Sequence, residues 1–419
     1  MKNKISKIIL VLPIAILIVM AIYLGISTKV DYNLVDISGD KKELGNVSVL
    51  FQERHGAYKT SEVKVSKDGM DVDKFSKEVS GRVEINNFTK DNRDILDGVY
   101  NQNEIYKSDD SVGYISLYIG HGENNYKSEI YIDEKNLENN KTKNYKIPIE
   151  IGDIKEYEEY GYDISVVPIK YNDDLYVAIG INKGGEIIVY NNGEGENSIS
   201  KESFMSVYKL NLEDETSEII FNEQIVDGNN ELARISNIIC FSNDNSAYFV
   251  KEICEKDGVN YKLKYELLRY NLENKKLSKV EIPVKNIEGE HLNQYSVAQN
   301  RVTFTKERFT SNNEMEIYKT TVDLDSEKVI ESNEKYIIKL EDSRSTFILN
   351  QVKSIDGKLY LIIHSTNGQE DEYSSRGIFN SDVYTYVIDE KSKDTLYCGK
   401  IKEGKGNVSH ISILSEDEL

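Results

Sequence analysis

The chain contains no tryptophan, only three cysteines and only four prolines among its 419 residues. It is also short of basic residues, because 52 Lys and Arg stand against 72 Asp and Glu, a formal net charge of −20. Phosphate binding needs clustered Lys and Arg, so this balance argues against DNA or RNA as a partner. It fits a basic partner, a bound cation, or a surface that is simply soluble.

The cysteines follow no metal-binding spacing. If residues 241–248 form a hairpin around Asp244 and Asn245, Cys240 lies opposite Phe249, and Cys254 is too far along the strand to reach it. Cys398 has no partner in sequence either. We therefore expect three buried free thiols, no disulfide framework and no cofactor.

One long apolar run stands near the start of the chain. Residues 8–26 carry no charge and follow a basic tail, residues 1–7. A helix of this length spans about 28 Å, close to the ~30 Å hydrocarbon core of a bilayer. No small-residue cleavage site is evident at residues 23–27, so we favour a retained signal anchor, with a cleaved signal peptide as the alternative. The basic tail predicts a single-pass protein of the cell membrane, with a cytoplasmic N-terminus and the bulk of the chain extracytoplasmic.

Two turn signatures recur along the remaining chain. The first is a polar turn followed by a strand that usually carries tyrosine, and the second is an apolar strand that ends in Asn or Asp before a polar turn. Copies of the first precede Tyr114, Tyr176, Tyr248, Thr303 and Tyr360, and copies of the second contain Asp133, Asn211, Asn271, Asp323 and Asp389. Units of short strands at intervals of ~50–70 residues indicate an all-β protein built by radial repetition.

These signatures define five complete four-stranded units, at about residues 100–150, 160–225, 234–284, 294–338 and 346–401. The strands left over lie at residues 47–79 and 407–414. Joined, they would complete a sixth unit and remove an open sheet edge. We predict a linker at residues 27–45 and one β-propeller at residues 46–419, with six blades, or seven because residues 81–98 are hard to place.

The signatures resemble, at a generic level, the blades of WD40-like and TolB-like β-propellers. Asn271-Leu272-Glu273 and Asp323-Leu324-Asp325 look like the outer-strand ends of such blades. The chain has no Trp-Asp dipeptide, no Asp-box with its tryptophan and no paired-glycine kelch pattern. The resemblance implies the fold over most of residues 46–414, and no functional residue carries over from it.

Two units carry long insertions between their second and third strands, at residues 183–203 and 365–382, and the connection at 152–160 lies on the same face. Loops carry function more often than the scaffold beneath them. These loops are acidic and rich in tyrosine, which combines contact area with attraction for a cationic partner. The predicted binding residues are Tyr157, Tyr160, Tyr190, Glu194, Glu196, Glu370, Asp371 and Tyr373. Simple solvation of the surface would explain the same acidity.

The histidines are weaker candidates. His55, His121 and His364 each fall at or just beyond the end of a second strand, and His291 falls in a connection on the same face. Converging imidazoles can bind zinc. Strand ends lie well out from the axis, however, so we expect no metal site.

The sequence offers no local catalytic pattern, because it lacks a Gly-x-Ser-x-Gly elbow and its many carboxylates single out no pair. We therefore favour a binding or scaffold module over an enzyme, with a protein, a peptide or a wall glycan as partner. Richness in lysine, asparagine and isoleucine with little proline suggests a bacterial source. Two alternatives stay open: an extracellular hydrolase of cell-wall polymer, and an accessory subunit whose helix packs into a membrane complex.

Overall fold

The computed structural model describes most of the chain from residue 32 to residue 415. The described residues are 32–55, 59–76, 87–96, 99, 102–120, 127–151, 162–189, 196–227, 232–243, 245–257, 260–285, 294–310, 313–340, 345–367, 381–402 and 407–415. The predicted tail at residues 1–7 and the predicted membrane segment at residues 8–26 lie outside them. Within these ranges, no helix is both long and apolar enough to cross a bilayer.

The described strands form six antiparallel sheets, here named A to F. Sheet A contains β5 (Ile105–Lys107), β6 (Ser111–Gly120), β7 (Lys127–Asn136) and β8 (Thr142–Ile149). Sheet B contains β9 (Tyr162–Tyr171), β10 (Asp174–Val189), β11 (Glu196–Asn211) and β12 (Thr216–Asp227). Sheet C contains β13 (Leu232–Asn243), β14 (Ser246–Asp257), β15 (Asn260–Asn271) and β16 (Lys276–Ile282). Each is a four-stranded meander, the blade pattern of a β-propeller.

Sheets D and E repeat this meander, and sheet F combines strands from distant parts of the chain. Sheet D contains β17 (Gln294–Ala298), β18 (Arg301–Phe309), β19 (Glu314–Asp323) and β20 (Lys328–Lys339). Sheet E contains β21 (Ser345–Ile355), β22 (Lys358–Asn367), β23 (Ser381–Asp389) and β24 (Thr395–Lys402), with β1 (Asn33–Gly39) added beside β24. Sheet F is ordered β25 (Asn407–Ser415), β2 (Val47–His55), β3 (Lys59–Ser66) and β4 (Gly69–Ser76).

The pairing predicted between the two ends of the propeller region is confirmed in sheet F. β25 runs antiparallel to β2, from Val47 opposite Ser415 to Arg54 opposite Asn407. Phe51 faces Ile411 in this register. A C-terminal strand therefore supplies the first position of the sheet, and the N-terminal strands supply the other three.

The hydrophobic core is divided among the boundaries between sheets. Each of its six clusters takes side chains from two sheets that follow one another, A with B through to E with F. The sixth joins sheet F to sheet A through Leu50, Leu414 and Val112. Two short helices, α1 (Asn87–Asp91) and α2 (Arg93–Leu96), add Phe88, Ile95 and Leu96, and Val99 follows them. The region that sequence placed least well thus covers the F–A boundary.

At three of its five copies, the first turn signature forms a tight hairpin with two residues of positive φ. Asn172 and Asp173, between β9 and β10, have φ values of 49° and 64°. Gln299 with Asn300 and Asp356 with Gly357 repeat this pair of positive φ angles. Two such residues between antiparallel strands make the type I′ turn, whose twist matches that of the strands.

The second turn signature also appears in the structure, with one correction. Asn211, Asn271, Asp323 and Asp389 accept hydrogen bonds from backbone amides two or three residues later. In sheet A that role belongs to Asn136, not to the predicted Asp133. Asp133 lies inside β7 opposite Tyr114, because the strand pairs onward to its last residue.

Two segments expected to be irregular contain strands. Within the predicted linker at residues 27–45, Asn33–Gly39 pairs with β24, and the Tyr397 hydroxyl donates to Asp36. Within the predicted loop at residues 183–203, β10 and β11 stay paired out to Val189 and Glu196. Runs of β-branched residues there favour a strand over a loop.

Candidate functional site

The two ends of the sheets differ. Turns between first and second strands and between third and fourth strands lie at one end, the turn face. Connections between second and third strands, and from sheet to sheet, lie at the other, the loop face. Both insertions predicted from sequence join second to third strands, so they belong to the loop face.

Most of the predicted binding residues lie outside the described residues. These are Tyr157, Tyr160, Tyr190, Glu194, Glu370, Asp371 and Tyr373, together with His121 and His291. Glu196 opens β11 and His55 closes β2, and only their backbone positions are described. The predicted binding surface therefore stays a prediction.

His364 is the one predicted histidine whose side chain is described. It lies in β22 between Ile348 and Val383 of the neighbouring strands. Burial lowers the pKa of its imidazole, and the charge of Asp382 acts in the opposite direction. In the described part of the chain, no three or more His, Cys, Asp or Glu side chains form a group that could hold a metal ion.

A cavity of about 160 Å³ lies between sheets A and B. Its walls are Asn103, Glu104, Ile115, Ser116, Leu117, Ile164, Ser165 and Val166. We call it the A–B cleft. It exists because β5 is so short: this strand pairs only from Ile105 opposite Tyr114 to Lys107 opposite Val112. In sheet B, by contrast, β9 pairs with β10 over its whole length.

A 3₁₀ turn, Gln102–Glu104, precedes β5 and supplies Asn103 and Glu104 to the cleft. The opposite wall, Ile164 to Val166, comes from the beginning of β9, where the chain enters sheet B from the loop face. The cleft therefore lies between the first strands of two sheets, toward the loop face. This is the same face as the insertions.

A buried thiol lies behind the cleft. Asn103 donates its amide to the sulfur of Cys240 in sheet C. Burial raises the pKa of the Cys240 thiol to about 12. The thiol is therefore neutral and supplies no nucleophile. The sequence-based prediction of three buried, unbridged cysteines is confirmed, as is the position of Cys240 opposite Phe249.

The polar groups of the cleft are one carboxylate, one amide and two hydroxyls. Ser165 is buried, and its hydroxyl donates to the backbone carbonyl of Ser236, 3.4 Å away. Tyr114 precedes Ile115 of the cleft wall in β6. Burial, a hydrogen bond to Asp133 and the charges of Asp133 and Glu104 raise the pKa of Tyr114 to about 12. A carboxylate among apolar walls can hold a small polar or cationic group.

Sequence reasoning missed Asn103, Glu104, Ser116 and Ser165. The sequence contains one signal of the cleft. Only a few residues separate Glu104 from the turn at Asp109 and Asp110, which is too few for a first strand as long as those of the other sheets. The depth of the gap depends on the neighbouring sheet, which local sequence does not encode.

No family model matches the chain. No curated protein matches it either. Among solved structures it is similar to the polysaccharide lyase Uly1, at 9% identity and a TM-score of 0.40, covering 82% of this chain and 88% of that one. It is similar to the periplasmic gluconolactonase PpgL of Pseudomonas aeruginosa, at 7% identity and a TM-score of 0.29, covering 88% and 99%.

A third similar structure is the β-propeller domain of the Trilobed protease from Pyrococcus furiosus, at 12% identity and a TM-score of 0.25, covering 72% of this chain and 82% of that domain. All three TM-scores are below 0.5, and they carry no inference about function. The generic resemblance to β-propellers agrees with the sheet order and register of this chain.

Proposed function

We propose that this protein is a membrane-anchored, extracytoplasmic binding module whose six sheets are the six blades of one closed propeller. In this proposal, residues 8–26 hold the chain in the membrane and the loop face meets a protein, a peptide or a wall glycan. The acidic, tyrosine-rich loops predicted from sequence supply contact area, and the A–B cleft holds one group of the ligand.

The observation that carries this proposal is the A–B cleft. It combines apolar walls with a few polar side chains near the axis, which is typical of a binding site. A cavity of about 150 Å³ accommodates a molecule the size of benzene. The A–B cleft, at about 160 Å³, suits one side chain or one substituent of a sugar, not a whole polymer.

Charge favours a cationic group in the cleft. The Glu104 carboxylate lines it, and the whole chain carries a formal net charge of −20. A surface of one sign raises the association rate of an oppositely charged partner and helps to exclude partners of like charge.

Crosslinking on intact cells followed by pulldown tests the proposal. The Glu104→Gln variant removes the charge of the cleft with little change in shape, and we expect it to capture at least tenfold less of the crosslinked partner. Glu213→Gln is the matched control, because Glu213 is exposed at the turn face. Equal capture by both variants and the parent would contradict a role for the cleft.

The anchoring part of the proposal has its own test. Protease added to intact cells should degrade the propeller, because only residues 1–7 are proposed to lie inside. Carbonate washing should leave the protein in the membrane pellet. Protection from external protease, or release by carbonate, would refute the proposed topology.

A further inference from the structure

The innermost strand of sheet E contains an irregularity near the axis. Leu349 lies opposite Ile363 and Gln351 lies opposite Ile362, so Asn350 is an extra residue in β21. Such a β-bulge re-aims side chains and is common beside binding sites.

Several polar side chains next to this bulge share one face of sheet E. Residues directly opposite one another in a sheet project to the same side. Gln351 and Thr385 both lie opposite Ile362, and His364 lies opposite Val383. Ile362 and Val383 belong to the core shared with sheet F. Gln351, His364 and Thr385 therefore face sheet F.

These three side chains, and that of the bulge residue Asn350, contain buried polar atoms without hydrogen-bond partners. Across the described ranges, Asn350 Oδ1, Gln351 Oε1, His364 Nε2 and Thr385 Oγ1 are shielded from solvent and accept or donate no hydrogen bond. Buried polar atoms in proteins are nearly always paired, with protein, water or ligand. Four unpaired atoms beside one bulge leave hydrogen-bonding capacity for a further group. We call them the E–F polar cluster.

The hydrogen-bonding capacity of the cluster indicates which chemical group it binds. Amide oxygens only accept hydrogen bonds, and a neutral imidazole accepts at its unprotonated nitrogen. The oxygens of Asn350 and Gln351 therefore require a donor. His364 Nε2 is a third acceptor in the tautomer that carries its proton on Nδ1, and the Thr385 hydroxyl donates or accepts. A primary ammonium carries three N–H donors and no acceptor.

One buried charge and the exposure of the strand agree with a cation. Glu53 of β2 is a fully buried carboxylate in the adjacent sheet. Asp382 belongs to the other face of sheet E, where it pairs with Lys400 at 2.7 Å, and it takes no part in the cluster. Ile348, directly opposite His364, is 48% exposed, so the bulged strand is open to solvent at this end. A ligand can enter there.

We propose that the E–F polar cluster binds a primary ammonium group, carried by a lysine side chain or by a small free amine. The ammonium donates to Asn350, Gln351 and His364, and Thr385 completes its surroundings. This site is separate from the A–B cleft and does not depend on what the cleft binds.

Nuclear magnetic resonance of the full chain in detergent, labelled with ¹⁵N at histidine, tests the proposal directly. The His364 signal is assigned by its absence from the His364→Gln variant. Titration with methylammonium should shift the His364 Nε2 resonance saturably, because that nitrogen gains a hydrogen bond. Tetramethylammonium, which has the charge but no N–H, should produce no shift.

Two variants test whether individual side chains of the cluster bind the ammonium group. Thr385→Val and Gln351→Leu each remove a polar contact at similar size, and each should weaken methylammonium binding at least tenfold. Thr305→Val is the matched control, because the Thr305 hydroxyl in β18 is likewise buried without a partner among the described residues. It should bind as the parent does.

Three results would overturn the proposal: no saturable shift, an equal shift with tetramethylammonium, or equal binding by the Thr385→Val and Thr305→Val variants. A crystal soaked in methylammonium that shows ordered water only at the cluster would do the same. Nα-acetyl-lysine amide, tested beside its Nε-acetylated form, distinguishes the source. Binding of the first alone indicates a lysine side chain, whereas binding of methylammonium without either indicates a small amine.

Discussion

At the scale of single residues, Lys319 joins two sheets through buried charge. Its side chain is fully buried in β19, with Nζ 2.7 Å from Glu331 of β20 and 2.5 Å from Glu390, in the turn that follows β23 of sheet E. Burial opposes ionisation of Glu331, but hydrogen bonds from Lys319 and Thr321 outweigh it and lower the pKa of that carboxyl. Removing one partner of a buried ion pair leaves an uncompensated charge.

We expect Lys319→Met to lower the free energy of unfolding by about 3 kcal/mol, the lower end of the usual cost of breaking a buried pair, because Glu331 and Glu390 keep some contact with solvent. Lys393→Met is the control, because Lys393 pairs with Glu334 at the surface. Exposed pairs contribute about 0–1 kcal/mol. Urea unfolding measures the free energy of unfolding of both variants. Similar losses of stability would show that the buried pair contributes no more than the exposed one.

His364 supplies a pH dependence at the same scale. Burial lowers its pKa from the ordinary value of 6.5, so the unfolded chain takes up a proton that the folded chain resists. Stability is therefore complete above pH 6.5 and falls as the pH drops toward the folded pKa. We expect His364→Gln to lose less stability than the parent between pH 7.5 and pH 5.5 in urea unfolding. Equal losses would show that His364 does not titrate differently on folding.

At the scale of elements, the hairpin turns set the register of the sheets. Asp173 occupies the second position of a type I′ turn at a φ of 64°, a conformation that costs most side chains energy and glycine none. Asp173→Gly creates the Asn-Gly pair that this turn prefers. We expect thermal unfolding to show a net gain of about 0.5–1 kcal/mol, because relief of ~1–2 kcal/mol of left-handed strain exceeds the ~0.4–1 kcal/mol that glycine costs through the unfolded chain.

The control for that change is Asp325→Gly, in the turn between β19 and β20. Asp325 is not among the residues with positive φ. Glycine at this position only increases the conformational entropy of the unfolded chain. We therefore expect a loss of about 0.5–1 kcal/mol in the free energy of unfolding. A loss in both variants would mean that the left-handed φ at Asp173 stores no strain.

The same local chemistry explains which elements could be predicted from sequence. Turn residues act through their own backbone, so the hairpins at Asn172 and Asp356 and the register at Cys240 follow from local patterns. β1 was missed because it is an edge strand with little burial and so little alternation. The A–B cleft depends on a short strand, and the E–F polar cluster depends on a bulge. In both cases the side chains of the neighbouring sheet complete the site. The sequence pattern of one sheet does not show which side chains those are.

At the scale of the whole molecule, sheet F joins the two ends of the propeller region. Leu50 and Leu414 lie on adjacent strands from opposite ends of the propeller region, and both pack at the boundary with sheet A. If this sheet holds the ring closed, all the loop-face ends stay gathered at one end of the axis. The A–B cleft and the E–F polar cluster then belong to one surface.

Native-state hydrogen exchange of the β25 amides tests this closure most directly. If β25 locks the ring, the amides of Ile411 and Ile413 exchange only when the whole propeller unfolds, with the same apparent free energy as the amides of sheet C. Exchange of β25 several orders of magnitude faster, while sheets A to E stay protected, would contradict the closed ring.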